Sequence, residues 1–374
     1  MTYKLFSVDD HIIEPRDVWT SRLPKKYQDV GPRVIEADGR EFWVYEDQRS
    51  PTMGLNAVAG KPPEEWGTDP VRYTDLIPGC YDPVARADDL RADGIVASVL
   101  FPSLPGFGGR VLFQLQDKEL ASLSVEAYND FVIDEWCAAA PEIYVPTIIT
   151  KLWDPVAAAA EIRRCAAKGA RALSFPENPI HLGLPSFHTD HWDPVFDALA
   201  ETGVVCCMHL GSSGRIPMPT PDSHFSVAIC AAPGIVGIET IADLIFSKLP
   251  VKYPTVKFSI TEGGIGYVPY LLERCDFVWE KHRFWAPFGT ERPSDVFHRQ
   301  FYVCAVNETF GLIDEAREII GVDNILWESD YRHSETTCPA SKSAASKVFR
   351  GMHEDHVAKI SHLNAEKLFN FPIA

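Results

Sequence analysis

Short apolar segments alternate with longer amphipathic segments along most of the chain. Eight of the short segments are continuously apolar, which is typical of parallel strands covered on both faces. They are Leu5–Asp9, Ile95–Phe101, Tyr144–Thr150, Arg171–Phe175, Val204–His209, Thr255–Glu262, Gln300–Val306 and Asn324–Asp330. Helical periodicity predicts helices over Asp82–Asp93, Lys118–Ala140, Asp154–Lys168, Trp192–Thr202, Ala231–Leu249, Tyr267–Trp285, Glu308–Ile320, Ser341–Met352 and His353–Phe369. Eight strand–helix repeats predict an α/β protein with a (β/α)8 TIM barrel.

A doubly wound open sheet would give a similar alternation of strands and helices. The first strand, however, is not followed by the glycine-rich fingerprint of a dinucleotide-binding fold, so the barrel is favoured. Residues 15–81 interrupt the even spacing with a segment rich in proline, glycine, tryptophan and charge that is too long for a simple loop. We expect one domain over residues 1–374, with residues 15–81 as an insertion that forms a lid or a subunit contact.

Charge and cysteine content restrict the classes of partner. The chain has 35 Lys+Arg against 52 Asp+Glu, and the net charge of −17 argues against nucleic acid and anionic membranes as partners. No uninterrupted apolar stretch approaches the roughly 18 residues of a membrane span, and the first residues lack a secretory apolar region. Nine scattered cysteines without a CxxC pair favour a reduced, cytoplasmic protein.

Histidines and carboxylates follow several of the predicted strands. His11 and Glu14 follow strand 1, while His209, Glu262 and Asp330 end strands 5, 6 and 8. Taken one at a time, these residues also have structural explanations. A histidine at a strand end is often only hydrogen-bonded, a carboxylate can cap a helix or turn, and Asp330 can pair with Arg332. Because a barrel collects its functional side chains at the carboxyl ends of its strands, the whole set instead favours an open metal site.

The spacing of these residues resembles a known enzyme superfamily. The motifs are Asp9-x-His11, His209-Leu210-Gly211, Glu262-Gly263-Gly264 and Ser329-Asp330-Tyr331. They are similar to those of the metal-dependent amidohydrolase superfamily, in particular the amidohydrolase-2 branch with aminocarboxymuconate-semialdehyde decarboxylase and related aromatic-acid decarboxylases. The resemblance implies a distorted (β/α)8 barrel with metal ligands on the first strand, a strand-5 histidine at His209 and a strand-8 aspartate at Asp330.

Two departures from that branch alter the expected site. The branch usually carries His-x-His on strand 1, but Ile13 occupies the second position here, so His11 and Glu14 become the expected first-strand ligands. The branch also carries a strand-6 histidine as general acid/base, where this chain has Glu262. The site becomes rich in carboxylates, which favours iron or manganese over a closed zinc site. Three carboxylates on one divalent ion would leave excess negative charge, which a second ion would relieve.

The second ion has two candidate ligands in the loop after strand 4. His188 and His191 lie just before the helix predicted from Trp192, so they either bind that ion or cap the helix. With two ions, the site resembles that of nonheme diiron monooxygenases acting on terpenoid scaffolds. The resemblance then implies that His11, Glu14, His209, Glu262 and Asp330 hold two irons, which activate O2 to hydroxylate a hydrophobic small molecule with an electron donor.

Two other functions fit the same residues. The first alternative is a mononuclear zinc or manganese hydrolase or decarboxylase of a small carboxylic acid, in which Glu262 or Asp330 takes the proton. The second is a barrel without catalysis that serves as a binding protein. Superfamily barrels often associate, so a homo-oligomer formed through the insertion is a further expectation.

Overall fold

The computed structural model describes residues 4–287, 289–305 and 307–373, and it contains all eight predicted strands. The strands are β1 (Leu5–His11), β2 (Ile95–Phe101), β3 (Tyr144–Val145 and Thr147–Ile148), β4 (Ala172–Ser174), β5 (Val205–His209), β6 (Phe258–Thr261), β7 (Phe301–Ala305) and β8 (Ile325–Trp327). Val306, which ends the predicted seventh strand, lies outside the described residues. Continuous apolar runs were therefore a sufficient signal for the strands.

The eight strands form one closed parallel sheet. Each strand pairs with its neighbours in chain order, and β1 also pairs with β8. Closure is visible at β3, whose first piece pairs with β2 while its second piece pairs with β4. Pro146 separates the two pieces, as expected for a residue that cannot donate a ladder hydrogen bond. The predicted barrel is thus confirmed.

Helices surround this sheet, mostly where periodicity predicted them. The α-helices are Pro83–Asp93, Arg110–Phe113, Lys118–Phe131, Cys137–Ala139, Pro155–Ala167, Asp193–Thr202, Phe225–Ile245, Leu249–Lys252, Val268–His282, Pro293–Gln300, Asp314–Ile320, Ser341–Val348, Glu354–Ala358 and Asn364–Phe369. Two π-helical turns, Val132–Trp136 and Lys359–Leu363, join consecutive helices. The 3-10 turns are Lys25–Tyr27, Gly54–Asn56, Pro63–Glu65, Tyr73–Asp75, Pro78–Cys80, Pro179–Leu182, Phe310–Leu312 and Val322–Asn324.

The end of the barrel where β1 begins is filled by apolar side chains. Phe6, Val8 and Leu326 pack together inside the sheet, and Leu368 and Phe369 from the last helix pack against them. The rings of Phe6 and Phe369 stack with their centroids 6.1 Å apart. The polar residues at the strand ends therefore have a rigid apolar floor beneath them.

Residues 15–81 form a small β-structure attached to the barrel. It contains an antiparallel sheet of Arg33–Ala37, Arg40–Tyr45 and Gln48–Ser50, together with the pair Thr52–Met53 and Pro70–Val71. The buried side chain of Arg332, which follows β8, donates to the carbonyl of Asn56, and the N–H of Val58 donates to the carbonyl of Arg332 at 2.9 Å. These contacts fasten the insertion to the loop after β8.

One helix of the described part of the chain, Phe225–Ile245, is long and apolar enough to cross a membrane by length and composition, which is weak evidence for a span when it stands alone. It begins earlier than predicted because His224 accepts a hydrogen bond from the N–H of Ser226 at its start. Ile241 and Leu244 are buried in the core, and Phe225 and Ile229 line a cavity.

Candidate metal centre

A β-bulge determines which side chains of β1 reach the site. Phe6 and Val8 face the barrel interior, but the pairing register of β1 with β2 shifts between Ser7 and Asp10. A bulge of this kind re-aims the side chains that follow it. Asp9 and His11 consequently converge on one cluster.

Two imidazoles and two carboxylates meet at the ends of β1, β5 and β8. The Nε2 atoms of His11 and His209 are 3.1 Å apart, and each lies 3.2 Å from a different carboxylate oxygen of Asp9. Asp330 Oδ1 lies 3.5 Å from His11 Nε2. All four side chains are completely buried, so the group is a compact polar cluster within an apolar barrel.

Glu262 and Asp330 reach the cluster from unusual backbone conformations. Their φ angles are 56° and 49°, in the left-handed region that costs a residue with a side chain roughly 1–2 kcal/mol. Such conformations concentrate at functional sites, where the surrounding structure holds them. The turn at Glu262 brings its Oε2 to 3.5 Å from His209 Nε2.

The Asp9 and Asp330 carboxylates face imidazole nitrogens but form no well-directed hydrogen bond with the described residues. Both oxygens of Asp9 and both oxygens of Asp330 are buried and accept no hydrogen bond. Burying a carboxylate without a partner is costly unless a cation compensates it. The ligand atoms fall into two groups, Asp9–His11–His209 and His11–Asp330–His333, which share His11. Mixed nitrogen and oxygen donors of this kind fit one divalent metal ion.

The histidines are in the protonation state that a metal requires. His209 Nδ1 lies 2.7 Å from the carbonyl oxygen of Leu210, which can only accept, so Nδ1 carries the proton and Nε2 the lone pair. Burial lowers the pKa of His209, and burial together with the nearby His333 lowers the pKa of His11 well below its usual value. Both rings are therefore neutral ligands at neutral pH.

The carboxyl groups respond to burial in the opposite direction. Burial raises the pKa of Asp9 and of Asp330 well above the usual value, and repulsion from a neighbouring carboxylate, Asp10 for Asp9 and Glu262 for Asp330, adds to it. Burial raises the pKa of Glu262 to about 8, although the charge of His209 opposes the change. A bound cation would reverse these shifts by stabilising the charged carboxylates.

The structure brings together four of the residues predicted as ligands, namely His11, His209, Glu262 and Asp330. Glu14 belongs to neither ligand group, because its carboxylate accepts hydrogen bonds from the N–H groups of Ser103 and Leu104 at 2.8 and 3.0 Å. Glu14 lies three positions beyond His11 and after the end of β1, where it fastens the loop that follows β2.

The predicted ligands of a second ion also lie outside both groups. His188 is exposed and its Nε2 lies 2.8 Å from Asp243 Oδ1. His191 packs edge-on against the ring of Trp192. The structure therefore does not gather these two histidines with the cluster.

Two members of the cluster were not selected from the sequence. Asp9 stands two positions before His11, and this spacing places side chains on the same face of a strand, so the signal was present. His333 approaches Asp330, with its Nδ1 2.9 Å from Asp330 Oδ1, because the chain reverses after β8. Arg332, at φ 94°, makes this reversal, and no sequence pattern marks it.

A cavity of about 490 Å³ opens beside the cluster. Glu262 and His333 line it, and Trp43 and Met53 from the insertion form part of its wall. The ring of Phe107 also lines it and lies 4.1 Å from the ring centroid of His209. This volume suits a small organic ligand whose polar group reaches the cluster.

Comparisons with known proteins agree with this architecture. The chain is 23% identical to an amidohydrolase, map2389c, from Mycobacterium avium subsp. paratuberculosis K-10, with a TM-score of 0.76 over 99% of this chain and 100% of that chain. It is 18% identical to 5-carboxyvanillate decarboxylase LigW from Sphingomonas paucimobilis, with a TM-score of 0.67 over 99% of both chains.

A third solved structure is dihydroxybenzoic acid decarboxylase from Polaromonas sp. JS666 with bound manganese and the inhibitor 2-nitroresorcinol. The identity is 19% and the TM-score 0.65, over 99% of this chain and 98% of that chain. No curated protein matches the sequence. The sequence model of the family described as Amidohydrolase (Amidohydro_2) matches residues 78–371, so the chain belongs to this amidohydrolase family.

Proposed function

We propose that the protein is a decarboxylase of a small aromatic or related carboxylic acid that depends on one divalent metal ion. The observation that carries the proposal is the convergence of Asp9, His11, His209 and Asp330, with unpartnered carboxylate oxygens, beside a largely apolar cavity. Similar folds in metal-dependent aromatic-acid decarboxylases support the choice of reaction.

Asp9, His11, His209 and Asp330 would hold the ion, and the mixed oxygen and nitrogen donors favour manganese or zinc. When bound, the ion supplies a positive charge that attracts the substrate and stabilises negative charge during the reaction. Manganese is the better choice, because two of the similar decarboxylases contain it.

Glu262 is the proposed proton donor. Decarboxylation replaces a carbon–carbon bond with a carbon–hydrogen bond, so one proton must reach the carbon that loses CO2. Glu262 lines the cavity, and its Oε2 lies 3.5 Å from His209 Nε2, so its carboxyl group lies between the metal cluster and the space open to a substrate and can pass a proton to the ring carbon. The electron pair of the breaking bond stays with the ring as CO2 leaves, and Glu262 then regains a proton from solvent.

The apolar walls of the cavity favour conversion of the substrate carboxylate into neutral CO2. Phe107 packs against the rings of His11 and His209, and Ile13 and Leu104 add apolar surface. Exclusion of water weakens the solvation of a carboxylate relative to neutral CO2. The same walls suit the hydrophobic small-molecule substrate expected from the sequence.

The paired-iron oxygenase expected from the sequence has no support in these findings. Its two irons were expected to use Glu14, with His188 and His191 as candidate ligands of the second ion, but the structure does not gather these residues at the cluster. The two ligand groups share His11, and we assign both to one ion. An electron donor is accordingly not part of the proposal.

The proposal is tested with manganese-loaded protein and a panel of hydroxylated benzoic acids, measuring CO2 release and product by NMR. We expect CO2 release without O2 consumption, and a fall in kcat of roughly 10²–10⁴-fold in Glu262→Gln with manganese content retained. Glu335→Gln, also on the cavity wall, is the matched control. Hydroxylated or hydrolysed products without CO2 would show that the assignment is wrong.

A further inference from the structure

The cavity wall carries a guanidinium that the proposed reaction does not use. Two cationic side chains line the cavity, Arg110 and Arg332. Arg332 is fully buried and donates to the carbonyl of Asn56 and the hydroxyl of Ser103, so its hydrogen bonds serve the fold. Arg110 begins the short helix Arg110–Phe113 in the loop after β2.

Arg110 has no partner for its charge in the described structure. Its side chain donates no hydrogen bond and forms no ion pair with any residue of 4–287, 289–305 or 307–373. In a chain with 52 acidic residues and a net charge of −17, most arginines near the surface meet a carboxylate, as Arg163 and Arg164 do. The guanidinium of Arg110 is therefore left available to a ligand in the cavity.

The neighbouring loop leaves room for this side chain. Gly214, which also lines the cavity, has a φ of +76°, and a Cβ there would lie 2.5 Å from Arg110 Cδ and 2.8 Å from its Nε. Any other residue at position 214 would displace the arginine. Arg110 thus packs along bare backbone of the loop after β5, beside the space that a substrate occupies.

The charges around the cavity allow few places for an anion. Glu262 and Glu335 line the same cavity and repel anions, so a carboxylate is favoured beside the metal cluster and beside the two guanidinium groups. Arg332 is tied to the fold through its two terminal nitrogens, whereas Arg110 makes no hydrogen bond to the described residues and can give both of its terminal nitrogens to a carboxylate. Arginine binds carboxylates through two parallel hydrogen bonds, which confers orientation as well as affinity.

We infer that the substrate carries two anionic groups on an apolar body, of which one meets the metal cluster and the other binds Arg110. The inference rests on the proposed function, because it assigns the first group to the carboxylate that is lost. Arg110 is then a residue that determines specificity, and it distinguishes dianionic from monoanionic acids of the same shape.

The test compares ligands that differ only in one charge. Isophthalate and terephthalate are titrated against their monoamides by calorimetry, using the full chain loaded with manganese. We expect the wild type to bind at least one of the diacids roughly 10- to 100-fold more tightly than its monoamide. Arg110→Met should abolish this preference while monoamide affinity and manganese content stay within about threefold, and Arg110→Lys should keep part of the preference.

The control is Arg163→Met, on the surface, which should bind all four acids as the wild type does. Equal binding of diacid and monoamide, a preference that survives in Arg110→Met, or no binding of any of the acids would overturn the inference. Failure of the proposed function gives a different result, in which diacids bind through Arg110 but no carboxylic acid releases CO2. Release of CO2 from diacids with a KM unchanged by Arg110→Met would instead retain the function and reject the inference.

Discussion

The two faces of β1 carry neighbouring aspartates with opposite surroundings. Asp9 and Asp10 are both completely buried, and burial raises the pKa of each. Neither oxygen of Asp9 accepts a hydrogen bond, and both lie beside imidazole nitrogens. Asp10 instead has several donors, which are the hydroxyls of Ser7, Ser98 and Ser329 and the N–H of Tyr331.

The difference shows how one strand end serves stability and chemistry at once. Asp10 joins β1 to β2 and to the loop after β8, so its charge is compensated by the protein itself. Asp9 lies on the same strand, but no group of the described chain compensates its charge through a hydrogen bond, so a bound cation is needed to do so. Burial alone does not separate the two roles, whereas hydrogen-bond satisfaction does.

The largest expected effect is on metal affinity. Asp9→Asn should weaken Mn²⁺ binding by about a hundredfold or more, because it removes a charged metal ligand. Loss of a residue that only hydrogen-bonds to a ligand typically weakens metal binding by roughly 10- to 100-fold, and loss of the ligand itself should cost more. Asp10→Asn, the matched control, should retain affinity within about tenfold. Titrations monitored by electron paramagnetic resonance measure the Mn²⁺ affinity of both variants. Equal losses of affinity would show that Asp9 and Asp10 do not have different roles.

The next effect is on stability, where Asp10→Asn should be the more damaging of the two substitutions. Asp10→Asn should lower the free energy of unfolding of the metal-free protein by about 2–3 kcal/mol, since an amide nitrogen would face hydroxyl donors that now bind a carboxylate. Asp9→Asn should leave it unchanged or raise it, because an unpartnered buried charge is removed. Urea unfolding of both variants checks this, and greater destabilisation by Asp9→Asn would contradict it.

The smallest effect is the pH dependence of metal binding. Burial raises the pKa of Asp9 and Asp330, and that of Glu262 to about 8, so protons compete with the metal for the charged carboxylates. The imidazole pKa values are lowered, so His11 and His209 stay neutral. Mn²⁺ affinity should therefore rise with pH between 6 and 8, by at most about tenfold per unit for each displaced proton. Constant affinity across this range would contradict the account of Asp9 as a buried carboxylate whose charge the metal compensates.

The sequence predicted the barrel better than it predicted the site. Continuous apolar runs placed all eight strands, because buried parallel strands need apolar side chains on both faces. The helix Pro293–Gln300 was missed because it is short and its apolar positions are few. The departure of residues 15–81 from the strand–helix repeat was visible in their composition and length, whereas their role as a lid or a subunit contact stays a prediction.

Within the site, errors arose where the backbone departs from regular geometry. Glu14 was selected because Ile13 replaces the second histidine of the expected His-x-His pair, and Asp9 was not selected. Alternation from Phe6 and Val8 does not reveal the bulge that brings Asp9 and His11 to the site. Position 14 is three residues from His11, a spacing that does not share a strand face. His333 depends on the chain reversal at Arg332, which only the folded structure defines.

The central claim is that Asp9, His11, His209 and Asp330 hold one divalent ion. The most direct measurement is the metal content per chain after manganese loading and gel filtration, determined by mass spectrometry together with the absorption spectrum. One manganese per chain in the wild type, and none retained by Asp9→Asn, is the expected result. Two metal ions per chain, or paired iron with oxo-bridge absorption, would contradict the single-ion site.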